Sequence, residues 1–190
     1  PFETYIKKQF PDYQIRFICF SDDALIQALT WGELDFAICN PYISIIAEHI
    51  NTYSFIATIV RKGPEGITEY QAGTIFCRSD REDINTLRDV IGKKVCIPGK
   101  NFFAGWILPY HEFKKQGIEP DRDFNAIVFA GNHEDVLQTV LTGNADVGCI
   151  SAFYLWKFIQ EGKIKEESVK IINNKRSKVI AYPHSTDVFP

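Results

Sequence analysis

The chain has 190 residues, 45% of them hydrophobic and 24% charged, enough to bury one sizeable core or two small ones and too apolar for a disordered segment. Its 21 basic and 24 acidic residues leave a net charge of −3 with no long run of one sign, which excludes the basic footprint of a nucleic-acid-binding or membrane-surface protein. No apolar run reaches the roughly 20 residues of a spanning helix, no signal peptide opens the chain, and Met is absent even at position 1, so the chain reads as a fragment of a longer protein.

The patterning predicts helices over 2–9, 22–31 and 42–49 alternating with strands over 14–20, 35–39 and 53–60, the βα alternation of a mostly parallel sheet. A loop over 61–69, with Gly63, Pro64 and Gly66, separates this set from a strand over 70–78 that leads out of a first lobe. A second set follows: helix 84–90, strand 94–97, helix 104–116, strand 125–129, helix 133–142, strand 146–150 and helix 152–161. Residues 169–173 and 178–181 read as strands returning to the first lobe, and two crossings make a hinge.

An internal repeat supports two lobes. Ser21–Cys39 (SDDALIQALTWGELDFAIC) recurs without a gap 111 positions later as Asn132–Ile150 (NHEDVLQTVLTGNADVGCI), with Gln27, Gly32 and Asp35 falling on Gln138, Gly143 and Asp146. Each copy is a capped amphipathic helix, a glycine stop and a buried strand, with Ser21 and Asn132 as caps. The expected organisation is an α/β fold of two lobes, 1–70 plus 170–190 and 75–168, closing on a ligand cleft. Cys19, Cys39, Cys77, Cys96 and Cys149 occupy apolar strand-like positions without metal-finger spacing and read as buried free thiols. Cys96 and Cys149 fall on neighbouring strands, which leaves one disulfide open.

Residues 72–150 closely resemble the phosphate/phosphonate-binding periplasmic protein family. The resemblance lies in a strand ending in Arg78, in LRDVIGKKV (87–95), GWILP (105–109) and GIEPDRDF (117–124), and in FAGNHEDVLQTVLTGNADVG (129–148). NPY at 40–42 extends it into the first third, and the tail YPHSTDVFP (182–190) resembles the ending of one branch, the sensor domain of tetrathionate-sensor-type two-component histidine kinases. The resemblance implies a type II periplasmic-binding-protein fold whose first strand of lobe one is missing here, leaving an open sheet edge on which a homodimer could pair. It further implies an extracytoplasmic sensor domain that binds a small, anionic solute and is tethered to the inner membrane, with membrane and kinase segments elsewhere in the same chain. The alternative is a solute-binding protein feeding an ABC transporter. Neither reading involves a cofactor or a metal. An enzyme with Cys149 or Cys39 as nucleophile and His133 as base has no motif behind it, and contiguous His184, Ser185 and Thr186 cannot assemble a triad.

Eight residues are the expected ligand contacts. Asn40 and Tyr42 follow a strand end of lobe one; Asn101, Phe102 and Phe103 lie in the loop that opens the 104–116 helix, where backbone amides offer an anion seat. Transport relatives carry Ser-Thr-Ser before the equivalent of Gly105, whereas Phe102, Phe103 and Ala104 stand here, which points away from phosphonate or phosphate and toward a small organic or sulfur-containing anion. His133, in the "G.H" motif, and Ser151, after the repeat strand, complete lobe two, and Arg78 on the linking strand either reaches the anion or pairs with Asp80 or Glu82. Ala152 and Phe153 replace the acidic pair with which transport relatives hold an amino group, which argues against an aminophosphonate.

Overall fold

The computed structural model describes residues 2–50, 53–63, 66–68 and 70–173. Its centre is a five-stranded mixed sheet formed by β3 (Gly73–Arg78), β4 (Lys94–Ile97), β5 (Ala126–Phe129), β6 (Val147–Ser151) and β7 (Val169–Ile171), in the spatial order β5-β4-β6-β3-β7. β4 runs parallel to both β5 and β6, while β3 is antiparallel to β6 and β7. The residues of β3 and β6 are almost all buried because helices cover both faces. Ile75, Cys77, Val95, Ile97, Val147 and Cys149 face one layer with Trp106 and Phe113, and Phe76, Cys96 and Ile150 face the other with Val136, Leu137 and Val140.

The connecting helices explain the sheet's polarity. α6 (His133–Leu141) is capped by Asn132, whose side-chain oxygen accepts from Asp135 N–H at 2.8 Å, and it stops at Gly143 with φ +78°. α7 (Ala152–Gln160) begins directly at the end of β6. The 104–116 helix is in part π-helical: residues 103–107 wind wide and continue into α4 (Leu108–Lys115). Pro109 has no N–H to donate, and the neighbouring Leu108 N–H reaches back five residues to Phe103 O. The expected 84–90 helix contracts to a 3-10 turn over Leu87–Val90, since Asp89 draws the amides of Asn85 and Thr86 into a cap, and α5 (Pro120–Asp123) is a single extra turn.

The first half contributes helices and a small hairpin. α1 (Phe2–Gln9), α2 (Asp22–Thr30) and α3 (Pro41–Ile50) form as the patterning requires, and Leu29, Ile43 and Ala47 make a small core with Leu25, Ile26, Tyr42 and Tyr53 around it. β1 (Arg61–Gly63) and β2 (Gly66–Thr68) pair antiparallel. The expected strands 14–20, 35–39 and 53–60 are not strands: none of them enters a ladder among the described residues. A strand exists only against a neighbour, and with no partner laid beside it among the described residues the second half of the first repeat stays irregular, Phe36 and Ile38 being 78% and 60% exposed. β7 pairs antiparallel with β3, the strand expected to lead out of the first lobe. The 178–181 strand and the tail 182–190 lie outside the described residues. Cys96 and Cys149 sit on adjacent strands but on opposite faces of the sheet, and all five cysteines are free thiols; Cys19 is exposed and Cys39 half-buried, against the expected burial.

Candidate functional site

The parallel strands β4, β5 and β6 all end at one edge of the sheet, and the chain turns there into the 98–102 loop, α6 and α7. Side chains at strand ends and helix starts therefore converge, as in other open α/β sheets. Asn101, Phe102, Phe103, His133 and Ser151 are all at this edge.

His133 is its hub. Phe102 meets its ring edge to face at 5.4 Å, Tyr154 stacks on it at 4.5 Å and 26°, and Ser151 N–H donates to Nδ1 at 3.5 Å. An Nδ1 that accepts leaves the proton on Nε2, free to donate to a ligand. Burial lowers the imidazole pKa to about 4, so at neutral pH the ring is an uncharged donor. A Cβ on Gly105 would come 2.8 Å from His133 Cε1 and 2.6 Å from Pro98 Cγ, so the absence of a side chain there seats the imidazole against the loop. The first backbone bonds of the helix run from Trp106 and Ile107 N–H to Phe102 O, leaving the amides of Phe103, Ala104 and Gly105 ahead of the ladder. An uncharged ring donor beside helix-start amides is an arrangement that can receive an anion without a formal positive charge.

The first half of the chain meets the same loop. Asn40 Nδ2 donates to Asn101 O at 3.2 Å while Asn40 Oδ1 caps α3 by accepting from Ile43 N–H, and Asn101 Nδ2 donates to Asp23 Oδ1 at 3.0 Å. Asn40, Asn101, Phe102, His133 and Ser151 are thus linked contact by contact, and half-buried Phe103 is next to Phe102. Tyr42 packs instead against the Leu29, Ile43 and Ala47 core. Arg78 is a correction. It ends β3 at the opposite edge of the sheet, bonded to Asp80 and close to Gly143, because the antiparallel β3 reaches the cleft edge with Gly73, which pairs with Ser151. The sequence reading missed Tyr154 and Asp23; Tyr154 lies three residues past Ser151, one place beyond the substituted acidic pair, and a half-buried aromatic in a first helical turn is a weak signal. Among the described residues, no group of His, Cys, Asp or Glu side chains could hold a metal ion.

A mixed sheet covered by helices, with a second helical unit docked on the loop at its strand ends, has the fold of the type II periplasmic-binding-protein class. The profile described as "ABC transporter, phosphonate, periplasmic substrate-binding protein" matches residues 1–187, and the chain belongs to that family. The phosphate-import protein PhnD of Mycolicibacterium smegmatis is 25% identical over 167 residues, 84% of this chain and 52% of that protein, so the chain spans about half the length of this curated relative. The tetrathionate sensor histidine kinase TtrS of Salmonella typhimurium is 27% identical over 144 residues, 74% of this chain and 24% of that one. In fold, the chain matches PhnD1 of Prochlorococcus marinus in complex with methylphosphonate with a TM-score of 0.73 at 15% identity, covering 90% of this chain and 63% of that one. A binding protein component of the ABC phosphonate transporter of Pseudomonas aeruginosa matches with a TM-score of 0.67 at 17% identity, over 90% and 58% of the two chains. The family is described as one of periplasmic substrate-binding proteins.

Proposed function

We propose that this domain captures a small organic oxyanion, of the phosphonate or sulfonate kind, at the cleft edge and delivers it to an ABC-type importer. Asn40, Asn101, Phe102, Phe103, His133 and Ser151 are the proposed contacts. The family match over residues 1–187 carries the reading, and the neutral anion seat around His133 supports it. The aromatic pair Phe102 and Phe103, in place of hydroxyl side chains, favours a ligand with an organic body over inorganic phosphate. Calorimetric titration with methylphosphonate, methanesulfonate, phosphate and tetrathionate tests it: an organic oxyanion should bind more tightly than phosphate. Phosphate binding as tightly as either organic anion would refute the ligand class. Uptake of the bound ligand by cells, lost on deleting the gene, tests delivery.

A second reading is the sensor domain of a membrane-tethered histidine kinase, favoured by the 27% identity to TtrS over 74% of the chain. Closure on ligand would then be passed to the kinase, by no more than the ligand's difference in affinity for the open and closed states. Among the described residues no helix is long and apolar enough to cross a membrane, so a tether would belong to a segment outside them. Uptake that survives deletion, with loss of a ligand-induced transcriptional response, would select this reading.

A further inference from the structure

We propose that the anion seat continues, between α6 and α7, into an aryl subsite that takes a flat ring carried by the bound oxyanion. This rests on the oxyanion reading above and narrows its ligand class. A cavity of ≈ 310 Å³ opens beside His133, lined by the rings of Phe102, His133, Tyr154 and Phe158 and by Asn132 and the paired charges of Glu134, Lys157, Glu161 and Lys163. That volume is at the small end of ligand sites, roughly 300–1,000 Å³, and suits one ring rather than a large molecule. Phe102 and His133 belong to the cavity and to the anion seat at once, so a group bonded to an oxyanion at the 98–105 loop enters it directly.

The walls select a ring. Phe102 stands at 89° to the imidazole, the imidazole lies at 26° to Tyr154, and Tyr154 tilts 40° toward Phe158 at 6.0 Å, a run of π faces and edges that pairs with another flat ring. The rim selects against a second ionic group. Lys163 Nζ lies 2.8 Å from Glu134 and 3.7 Å from Glu161, Lys157 Nζ lies 3.6 Å from Glu161, and the imidazole is uncharged. Lys163 Nζ also lies over the Phe158 ring at 5.2 Å, which holds this ammonium by a ring as well as by its carboxylates.

The test is titration of the purified protein and a Lys157→Trp variant with methylphosphonate and phenylphosphonate. The parent should bind phenylphosphonate more tightly by roughly tenfold, the return expected of one buried ring pair. The introduced indole fills the cavity from its exposed rim, so in the variant the ratio of the two dissociation constants should fall to near one. Equal affinities in the parent, or a ratio that survives Lys157→Trp with the variant folded by circular dichroism, overturn the subsite while leaving the oxyanion reading intact. A parent that binds neither phosphonate, nor methanesulfonate or benzenesulfonate, overturns both.

Discussion

Asn40 and Asn101 are 61 residues apart, yet the Asn40 amide donates to the Asn101 carbonyl at 3.2 Å and ties the first half of the chain to the loop of the proposed anion seat. The same side chain caps α3 through its oxygen, so its two roles separate chemically. Asn40→Asp keeps an oxygen for Ile43 N–H, and Asp caps about as well as Asn, but it has no donor for Asn101. This variant should weaken ligand binding by roughly fivefold, the worth of one net hydrogen bond, with little change in melting temperature. Asn40→Ala should lose both, the missing cap costing about 1 kcal/mol of stability. Unchanged affinity in Asn40→Asp would show that the contact does not support the site.

What was legible in the sequence divides along the repeat. Helix 22–31 and helix 133–142 were readable because cap, apolar stripe and glycine stop are local, and both appear with Gly32 and Gly143 at positive φ. The strands that follow were equally apolar, but only 147–151 forms, since β3 and β4 flank it and nothing flanks 35–39 among the described residues. Strand pairing is non-local, so patterning names a candidate without saying whether a neighbour is present. Asp146 shows the same limit: it accepts from Lys94 N–H at 2.8 Å and from Arg81 at 2.6 Å, pinning two strands together, which its repeat partner Asp35 gives no means of foreseeing. At the site, His133, Asn101 and Ser151 follow from strand-end geometry. Arg78 misled because the direction of β3 was not fixed by its sequence.

Gly105 tests how the imidazole is seated. Gly105→Ala places a methyl carbon 2.6 Å from Pro98 Cγ and 2.8 Å from His133 Cε1, and the Pro98 ring, closed on its own backbone, cannot swing aside. The imidazole must move off the loop, which should cost roughly 1–3 kcal/mol of stability and at least tenfold in affinity. Gly117→Ala is the control: its φ of +72° strains a side chain, but nothing lies within 4 Å and the site is untouched, so stability should fall without a loss of affinity in the folded fraction. Equal affinity in both variants would mean that His133 is not held by Gly105.

The thiols distinguish this sheet from a cross-linked one. Cys77, Cys96 and Cys149 are buried, and burial raises each thiol pKa, most strongly at Cys149, so none forms thiolate near neutral pH. Titration of the native protein with a thiol reagent should show Cys19 reacting fast, Cys39 more slowly, and the other three only after unfolding. Reduction should leave the mass unchanged. A gain of two hydrogens on reduction would establish a disulfide and contradict the opposite-face placement of Cys96 and Cys149.

His133 also sets a pH dependence whose sign is fixed by its burial. Its imidazole titrates near 6.5 in the unfolded chain and at about 4 in the folded one, so between these values the unfolded state binds more protons. The neutral ring's contribution is therefore fully present above pH 6.5 and is lost as pH falls toward 4, up to about 3 kcal/mol over that window. Denaturant midpoints measured at pH 7 and pH 4.5 should fall with acid in the parent and fall less in His133→Gln, which carries no titrating group there. Ligand binding supplies an independent reading. Benzenesulfonate does not change charge across this range, so its affinity should be flat from about pH 8 to about pH 5.5 if the bound imidazole stays neutral, and should drop at least tenfold in His133→Ala through loss of the Nε2 donor. Affinity that instead rises below pH 6.5 would mean that a protonated imidazole holds the anion and that the uncharged seat is wrong.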